Sequence, residues 1–219
     1  GSAHSQTSAK RMQACTTCHG AGATATVART ANEMYFPRIA GKPAGYLYNQ
    51  LLHFRDGRRH YGLMVGLVEH QSDAALQDMA RYFAQLDLPY PEPQPLAPGM
   101  TQALLQRGQQ LALRGDAAAA LPACASCHGA ALLGVEPAIP SLLGLPRDYI
   151  AGQIGAWQTG MRQAFAPDCM AQIAKRLTPD DVSAVAAWLS MQRVPPAGRA
   201  LASVSKLPAA LPLRCGGMP

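Results

Sequence analysis

The sequence predicts an all-α protein made of two tandem copies of one small helical module, with irregular loops and a Pro-rich C-terminal tail. Three observations predict it. The composition is 48% apolar but only 6% aromatic and 15% charged, and it is rich in Ala, Gly and Pro, which suits short helices joined by irregular loops better than a β-sandwich. The chain repeats itself: "MQACTTCHGAGA" (12–23) returns as "LPACASCHGAAL" (121–132), and "PRIAGKPAGYLYNQLLHFRDGRR" (37–59) as "PSLLGLPRDYIAGQIGAWQTGMR" (140–162). Between the copies, "LPYPEPQPLAPG" (88–99) holds five prolines in twelve residues. Such a stretch can neither continue a helix nor sit inside a sheet, and it reads as a semi-extended linker.

The alignment gives the domain organisation. The cysteines repeat at an offset of 109. Pro37/Pro140, Gly41/Gly144, Tyr46/Tyr149, Gln50/Gln153, Gly57/Gly160 and Arg59/Arg162 repeat at 103, and Met64/Met170 and Tyr82/Trp188 at 106. Length changes of six and three residues belong in loops. The boundary falls near residue 95, giving domains 1–94 and 95–219, the second carrying the tail from about 194.

Helices follow in order. Module one has only 14 residues before Cys15, so its opening helix is expected to be short. Tyr46–Arg55 and its partner Tyr149–Thr159 read as helices. Leu76, Met79, Phe83 and Leu86 form one apolar stripe. Thr101–Arg114 reads as the opening helix of module two. Near the end, Thr178 suits an N-cap, Pro179 the first helical position and Asp181 the positive helix start, with Val182, Val185 and Leu189 on one face. No convincing strand is read in either module.

The two C-x-x-C-H units carry the chemistry. One helical turn lets two thiols three positions apart reach the same flat ring, and thioether bonds to the vinyl groups of haem would fix it covalently. The next residue, His19 or His128, then faces the iron. Rival readings fit less well. Zinc needs four ligands where each unit offers three. A thioredoxin-like pair expects a βαβ setting, and a plain Cys15–Cys18 disulfide leaves the histidine unexplained. The reading is therefore two covalently bound haem c groups, attached through Cys15 and Cys18 and through Cys124 and Cys127.

The far side of each iron decides between a carrier and an open catalytic site. Module two has no histidine after His128, so its own residues cannot supply a second imidazole. Met170 repeats as Met64, and both are expected in loops before the last helix, which marks them as axial ligands rather than gap-fillers. Met79 reads as packing, and Met191 as core of the last helix. His60, four residues before Met64, competes with it, while His53 and His70 read as ordinary exposed or partly buried histidines. A thioether favours ferrous iron and raises the reduction potential relative to a second histidine.

On C-x-x-C-H-G, the P-x-x-x-G…Y-x-x-x-Q stretch, the F-R-x-G-x-R stretch ending at Arg59 and the repeated methionine, the chain resembles the dihaem cytochrome c4 family over about residues 8–192. The resemblance implies two class I cytochrome c modules facing each other, with His19/Met64 and His128/Met170 as axial pairs. It also implies a periplasmic electron carrier that feeds terminal oxidases or other redox enzymes. The shortened start, the altered "AWQTGMR" and the tail depart from the family pattern.

Arg59 and Arg162 are the only basic pair kept between the aligned stretches. Each is either a bidentate partner of a haem propionate or a solvated surface arginine. Cys169 and Cys215 are left over from the haem units. In the oxidising compartment where covalent haem is attached, they are expected to pair and strap the tail over Met170. By chain entropy, closing that loop is worth on the order of 3–4 kcal/mol.

Formal net charge is +6, with +2 on residues 1–94 and +4 on 95–219, and the basic residues are scattered. That disfavours nucleic acid as a partner. No run of apolar residues is long enough to span a membrane. The opening "GSAHS" reads as a scar left where a secretion signal was replaced, so a periplasmic location is expected. The leading function is transfer of single electrons between redox partners: a terminal oxidase, a quinol-oxidising complex or a dehydrogenase. The alternatives are the cytochrome subunit of a dehydrogenase complex and a peroxidase-like dihaem enzyme with one open iron.

Overall fold

Nine α-helices and two short 3-10 turns make up the regular structure among the described residues, and only isolated bridges represent β structure. The structure, a computed structural model, describes residues 10, 12–20, 36–196 and 198–218. The expected opening segment before Cys15 lies mostly outside them. In chain order the helices are α1 Gln13–His19, α2 Ala44–Arg55, α3 Gly62–Val68, α4 Asp73–Ala84, α5 Gln102–Leu113, α6 Cys124–His128, α7 Arg147–Thr159, α8 Cys169–Arg176 and α9 Pro179–Ser190.

Side-chain caps account for four of the nine α-helix starts. Thr178 Oγ1 accepts from Asp181 N at 3.1 Å, and Asp181 Oδ2 accepts from Thr178 N at 3.2 Å, a complete capping box with Pro179 at the first position. Ser72 caps α4 through Ala75 N, and Thr101 caps α5 through Leu104 N. The helices read from Tyr46 and Tyr149 begin two residues earlier, at Ala44 and Arg147, just after Pro43 and Pro146. Met191 falls one residue past α9, as its C-cap.

Two expected loops are helices. Met64 is the third residue of α3 and Met170 the second of α8. Asp168 starts α8 by accepting from Ala171 N at 3.0 Å, while Lys175 and Arg176 complement the other end. Two glycines in seven residues hide α3 from a propensity reading. Its Met64, Val65 and Val68 pack against Leu52, Phe54 and Leu76, and that burial holds it.

The apolar clusters fall on either side of the Pro-rich stretch. Met12, Leu47, Ala80 and Phe83 form one cluster of the first half, and Leu52, Phe54, Val68 and Leu76 the other. The second half has a larger one around Leu111, Leu132, Leu143, Ile154, Val185 and Leu189. There α5 crosses α9 so closely that a Cβ on Gly108 would collide with the Ala184 carbonyl. Arg107 ties the same crossing together, its Nε on Asp181 and its Nη1 on Asp116, both at 2.8 Å.

The linker is irregular, as expected, and it is docked. Arg38 donates to Leu88 O and Pro89 O at 2.6 and 2.7 Å and stacks over Tyr90. Gln94 N reaches Ser190 O at 2.9 Å. The tail is docked too. Leu201 pairs with Gly134 and Glu136, Leu207 and Met218 pack on Val135 and Ile139, and a disulfide joins Cys215 to Cys169.

Candidate haem sites

Each C-x-x-C-H unit forms a single helical stretch, as attachment of two thiols to one ring requires. Cys15 and Cys18 lie on α1, which ends at His19, and Cys124 and Cys127 lie on α6, which ends at His128. Both histidines are buried to 8% exposure. His19 Nδ1 lies 2.9 Å from Pro37 O and His128 Nδ1 lies 2.8 Å from Pro140 O. A carbonyl only accepts, so Nδ1 carries the proton in each ring and Nε2 presents a bare lone pair. A hydrogen bond from Nδ1–H to a backbone carbonyl is the kind of contact that fixes the ring orientation of a ligating imidazole. Burial lowers the pKa of both rings, against the carbonyl's opposing effect, so the neutral form is favoured.

The environment of the thiols runs against a thioredoxin-like redox pair. Burial pushes Cys124 up to about 11 and also raises Cys15 and Cys127. Thioredoxin-like chemistry needs the opposite shift. Neither unit is closed by a disulfide, and among the described residues no three His, Cys, Asp or Glu side chains converge as a metal-ion cluster.

In the second half, Cys124, Cys127, His128 and Met170 line one cavity of about 260 Å³, walled by apolar side chains including Ile154, Val185 and Leu189. In the first half, Met64 packs on the Leu52 cluster, and His19 stands edge-on to Phe36 at 6.4 Å. Residues 21–35, between them in the chain, lie outside the described set. His60 is exposed. His53 is not the ordinary exposed or partly buried histidine expected: it is 2% exposed, accepts from Arg58 Nε at 2.8 Å and meets the Phe165 ring at 4.7 Å. Burial first, then Arg58, Arg162 and Arg59, hold its imidazole down to about 4.

The surface reading of Arg59 and Arg162 is corrected. They are 9% and 5% exposed, because the two halves meet on them. Arg59 donates to Gln50 Oε1 of its own half at 3.0 Å, and to Tyr149 OH and Gln153 Oε1 of the other at 3.1 and 2.8 Å. Arg162 mirrors it, donating to Gln153 Oε1 at 2.9 Å and to Tyr46 OH and Gln50 Oε1 at 3.2 and 3.0 Å. An antiparallel bridge joins the two arginines, flanked by His60 N to Met161 O and Gln163 N to Arg58 O. Each guanidinium also covers a ring of its own half, Phe54 or Trp157. Tyr46 and Gln50 were legible as repeats. Their reciprocal bonding was not, since a repeat does not say how its copies dock.

The junction has unmet electrostatic demands. Among the described residues no carboxylate lies within ion-pair range of Lys42, Arg59 or Arg162. Trp157 Nε1 and Arg38 Nε are buried without an acceptor. Trp157 lines the second-half cavity. Burial raises Tyr46, but Arg162, Arg59 and Lys42 together outweigh it and bring the phenol to about 8. The Lys42 and Arg162 cations and the orphaned Trp157 Nε1–H, all lining one largely apolar cavity, fit a flat hydrophobic ring with carboxylate arms, which is what haem is. The tail adds lining that the sequence did not reveal. Leu211, Leu213 and Met218 reach this cavity, and Asn49 Nδ2 of the first half donates to Gly217 O at 3.0 Å.

The cytochrome c family model matches residues 105–192. The chain is 38% identical over 182 residues to the thiosulfate dehydrogenase electron acceptor of Thiomonas intermedia, covering 83% of this chain and 80% of that protein. It is 31% identical over 196 residues to cytochrome c4 of Pseudomonas aeruginosa, covering 86% and 90%. Among solved structures, reduced recombinant cytochrome c4 from Pseudomonas stutzeri aligns with a TM-score of 0.68 at 25% identity, over 86% of this chain and 98% of that one.

Proposed function

The chain belongs to the dihaem cytochrome c4 family, with tandem class I cytochrome c domains and covalently bound haem c, and it acts as an electron carrier; from that premise we propose that it holds two haems, one in each of two modules that divide near residue 95. Bound haem supplies the one-electron ferric/ferrous couple. Cys15 and Cys18 would anchor the first ring, and Cys124 and Cys127 the second. His19 and His128 would offer Nε2 to the irons, each ring held by a proline carbonyl. Met64 and Met170 would each add a soft sulfur ligand to the irons. Arg59, Arg162 and Lys42 would take the propionate charge at the junction, and Trp157 Nε1–H would donate to one of those carboxylates.

The observation that carries this reading is the second-half cavity. One apolar wall set gathers both thiols, the oriented imidazole and the thioether, and the internal repeat extends the arrangement to the first half. Mass spectrometry of the mature polypeptide is expected to find two added haems, and ferric spectra two methionine–iron charge-transfer contributions. Met64→Ala and Met170→Ala are each expected to remove one contribution and bring in a high-spin component. One haem mass, or a high-spin component in the wild type, overturns the reading.

The electron donor we infer is a dehydrogenase acting on thiosulfate. The relative that is 38% identical over 182 residues is named as such an enzyme's electron acceptor. The onward acceptor is a terminal oxidase or another redox protein. Covalent haem and the Cys169–Cys215 bond suit the periplasm. A tighter association, as a subunit of the dehydrogenase, is favoured by one feature. Tyr61, Leu63 and Leu67 are 46%, 55% and 47% exposed at and along α3, which carries no charged side chain. Mixing the purified chain with a thiosulfate dehydrogenase distinguishes the two. Thiosulfate-dependent haem reduction without co-elution marks a carrier, and stoichiometric co-elution marks a subunit.

A further inference from the structure

Lys42 breaks the reciprocity of the junction. It is only 8% exposed, and its ammonium makes one long hydrogen bond, 3.4 Å, to Ser141 O of the opposite half. Ser141 follows Pro140, whose carbonyl takes the His128 Nδ1 proton. Ser141 is itself held in place, its hydroxyl donating to Leu132 O and accepting from Leu143 N. Lys42 also lines the cavity that Cys127 and His128 line. A cation from the first half therefore stands at the proximal-histidine side of the second-half site.

Nothing is returned. The aligned position in the second half, 103 residues on, is Leu145. Arg38, which aligns with Ser141, stands next to Pro37 in the first half. Its guanidinium is turned onto the linker, bonded to Leu88 O and Pro89 O and stacked over Tyr90. The Arg59 and Arg162 contacts are matched across the junction, and the Lys42 contact has no match.

We propose that Lys42 is a cross-module tuning residue: its buried charge beside His128 raises the reduction potential of the second haem selectively, so that an electron shared between the two modules rests preferentially on the second. The physics is direct. Reduction lowers the charge of an iron site by one, so a nearby buried cation favours the reduced state, and it acts most strongly where water is excluded. A propionate at the junction does not cancel the effect. Burial lowers the Lys42 pKa, and the carboxylate that the haem brings to the junction, whichever residue stands at 42, favours the charged ammonium, so replacing lysine by a neutral side chain removes positive charge there. The inference rests on the two-haem reading above.

The test is a redox titration of holoprotein by spectroelectrochemistry, with ferric haem-methyl resonances separating the two centres. The second haem's signals are the set perturbed in Met170→His. In Lys42→Gln the electron partition of the half-reduced protein is expected to move about tenfold toward the first haem, about 59 mV for a one-electron couple. The first haem's own midpoint is expected to stay within about twofold of wild type in equilibrium constant. Lys42→Arg is expected to keep the wild-type partition. If Lys42→Gln does not yield folded holoprotein, Lys42→Met keeps the side-chain length and carries the same comparison. A shift common to both haems, or no shift in a neutral variant that retains both methionine–iron contributions, overturns the proposal. Fewer than two haem masses in the wild type overturns the underlying reading instead.

Discussion

The two halves share one repeat but are finished differently, and the difference lies on the methionine side. In the first half, α3 carries Met64 on a short apolar helix whose Leu63 and Leu67 face solvent. In the second, α8 carries Met170 beside a disulfide, and the tail lies along the same cavity through Leu211, Leu213 and Met218. One module thus leaves its sulfur-bearing helix open, and the other straps it. The junction teaches the complementary point. Where the repeat is kept, at Tyr46/Tyr149, Gln50/Gln153 and Arg59/Arg162, the two halves bond symmetrically. Where it is broken, at Lys42/Leu145 and His53/Ala156, the halves acquire separate electrostatics.

Removing the strap is expected to have the largest effect. A Cys169→Ser, Cys215→Ser double variant should lose about 3 kcal/mol of stability, with the loss confined to the second half. Both tryptophans, Trp157 and Trp188, lie in that half. Denaturant unfolding followed by their fluorescence should therefore shift, while the charge-transfer signal of the proposed Met64–iron bond should unfold where it does in the wild type. Equal shifts for both halves would mean that the tail braces the whole molecule.

Acid should act in the opposite direction, on the first half. The folded His53 titrates near 4, below the ordinary value of 6.5. Between those values the unfolded chain binds the proton and the folded chain does not. Stability from this group is complete above about pH 6.5 and is lost as pH falls toward 4, amounting to about 2 kcal/mol after allowing for solvent screening. His53→Ala, copying Ala156, should flatten the slope of melting temperature against pH across that window, whatever its effect at neutral pH. An unchanged slope would show that the acid response has another source.

The smallest expected contrast is between two helix caps. Thr178→Ala removes a reciprocal box whose Asp181 also holds Arg107, and should cost about 1–2 kcal/mol. Ser72→Ala removes a single exposed bond, and should cost about 0.5–1 kcal/mol. Calorimetry that found the two costs equal would show that tethering α9 to α5 through Asp181 adds nothing.

What the sequence determined by itself were features written in local spacing. A cysteine pair and histidine on one turn, the Thr178-Pro179-Asp181 start, the apolar stripe of α4 and the five-proline break need only neighbouring residues, so they were legible before any fold was known. The repeat added the pairing of Met64 with Met170. The helical setting of those methionines is not legible in the sequence, because Gly62 and Gly66 depress the propensity of α3 and α8 is only eight residues long behind its Asp168 cap. Only the tertiary structure decided which side chains lost their water. Arg59 and Arg162 read equally well as surface residues until two halves closed on them. His53 and Lys42 carry no local mark of burial. Lys42 meets Ser141 and His53 meets Phe165 and Arg162, all about a hundred positions away, in addition to the nearby Arg58, and a charge's energy is set by what surrounds it in space, not by its neighbours along the chain alone.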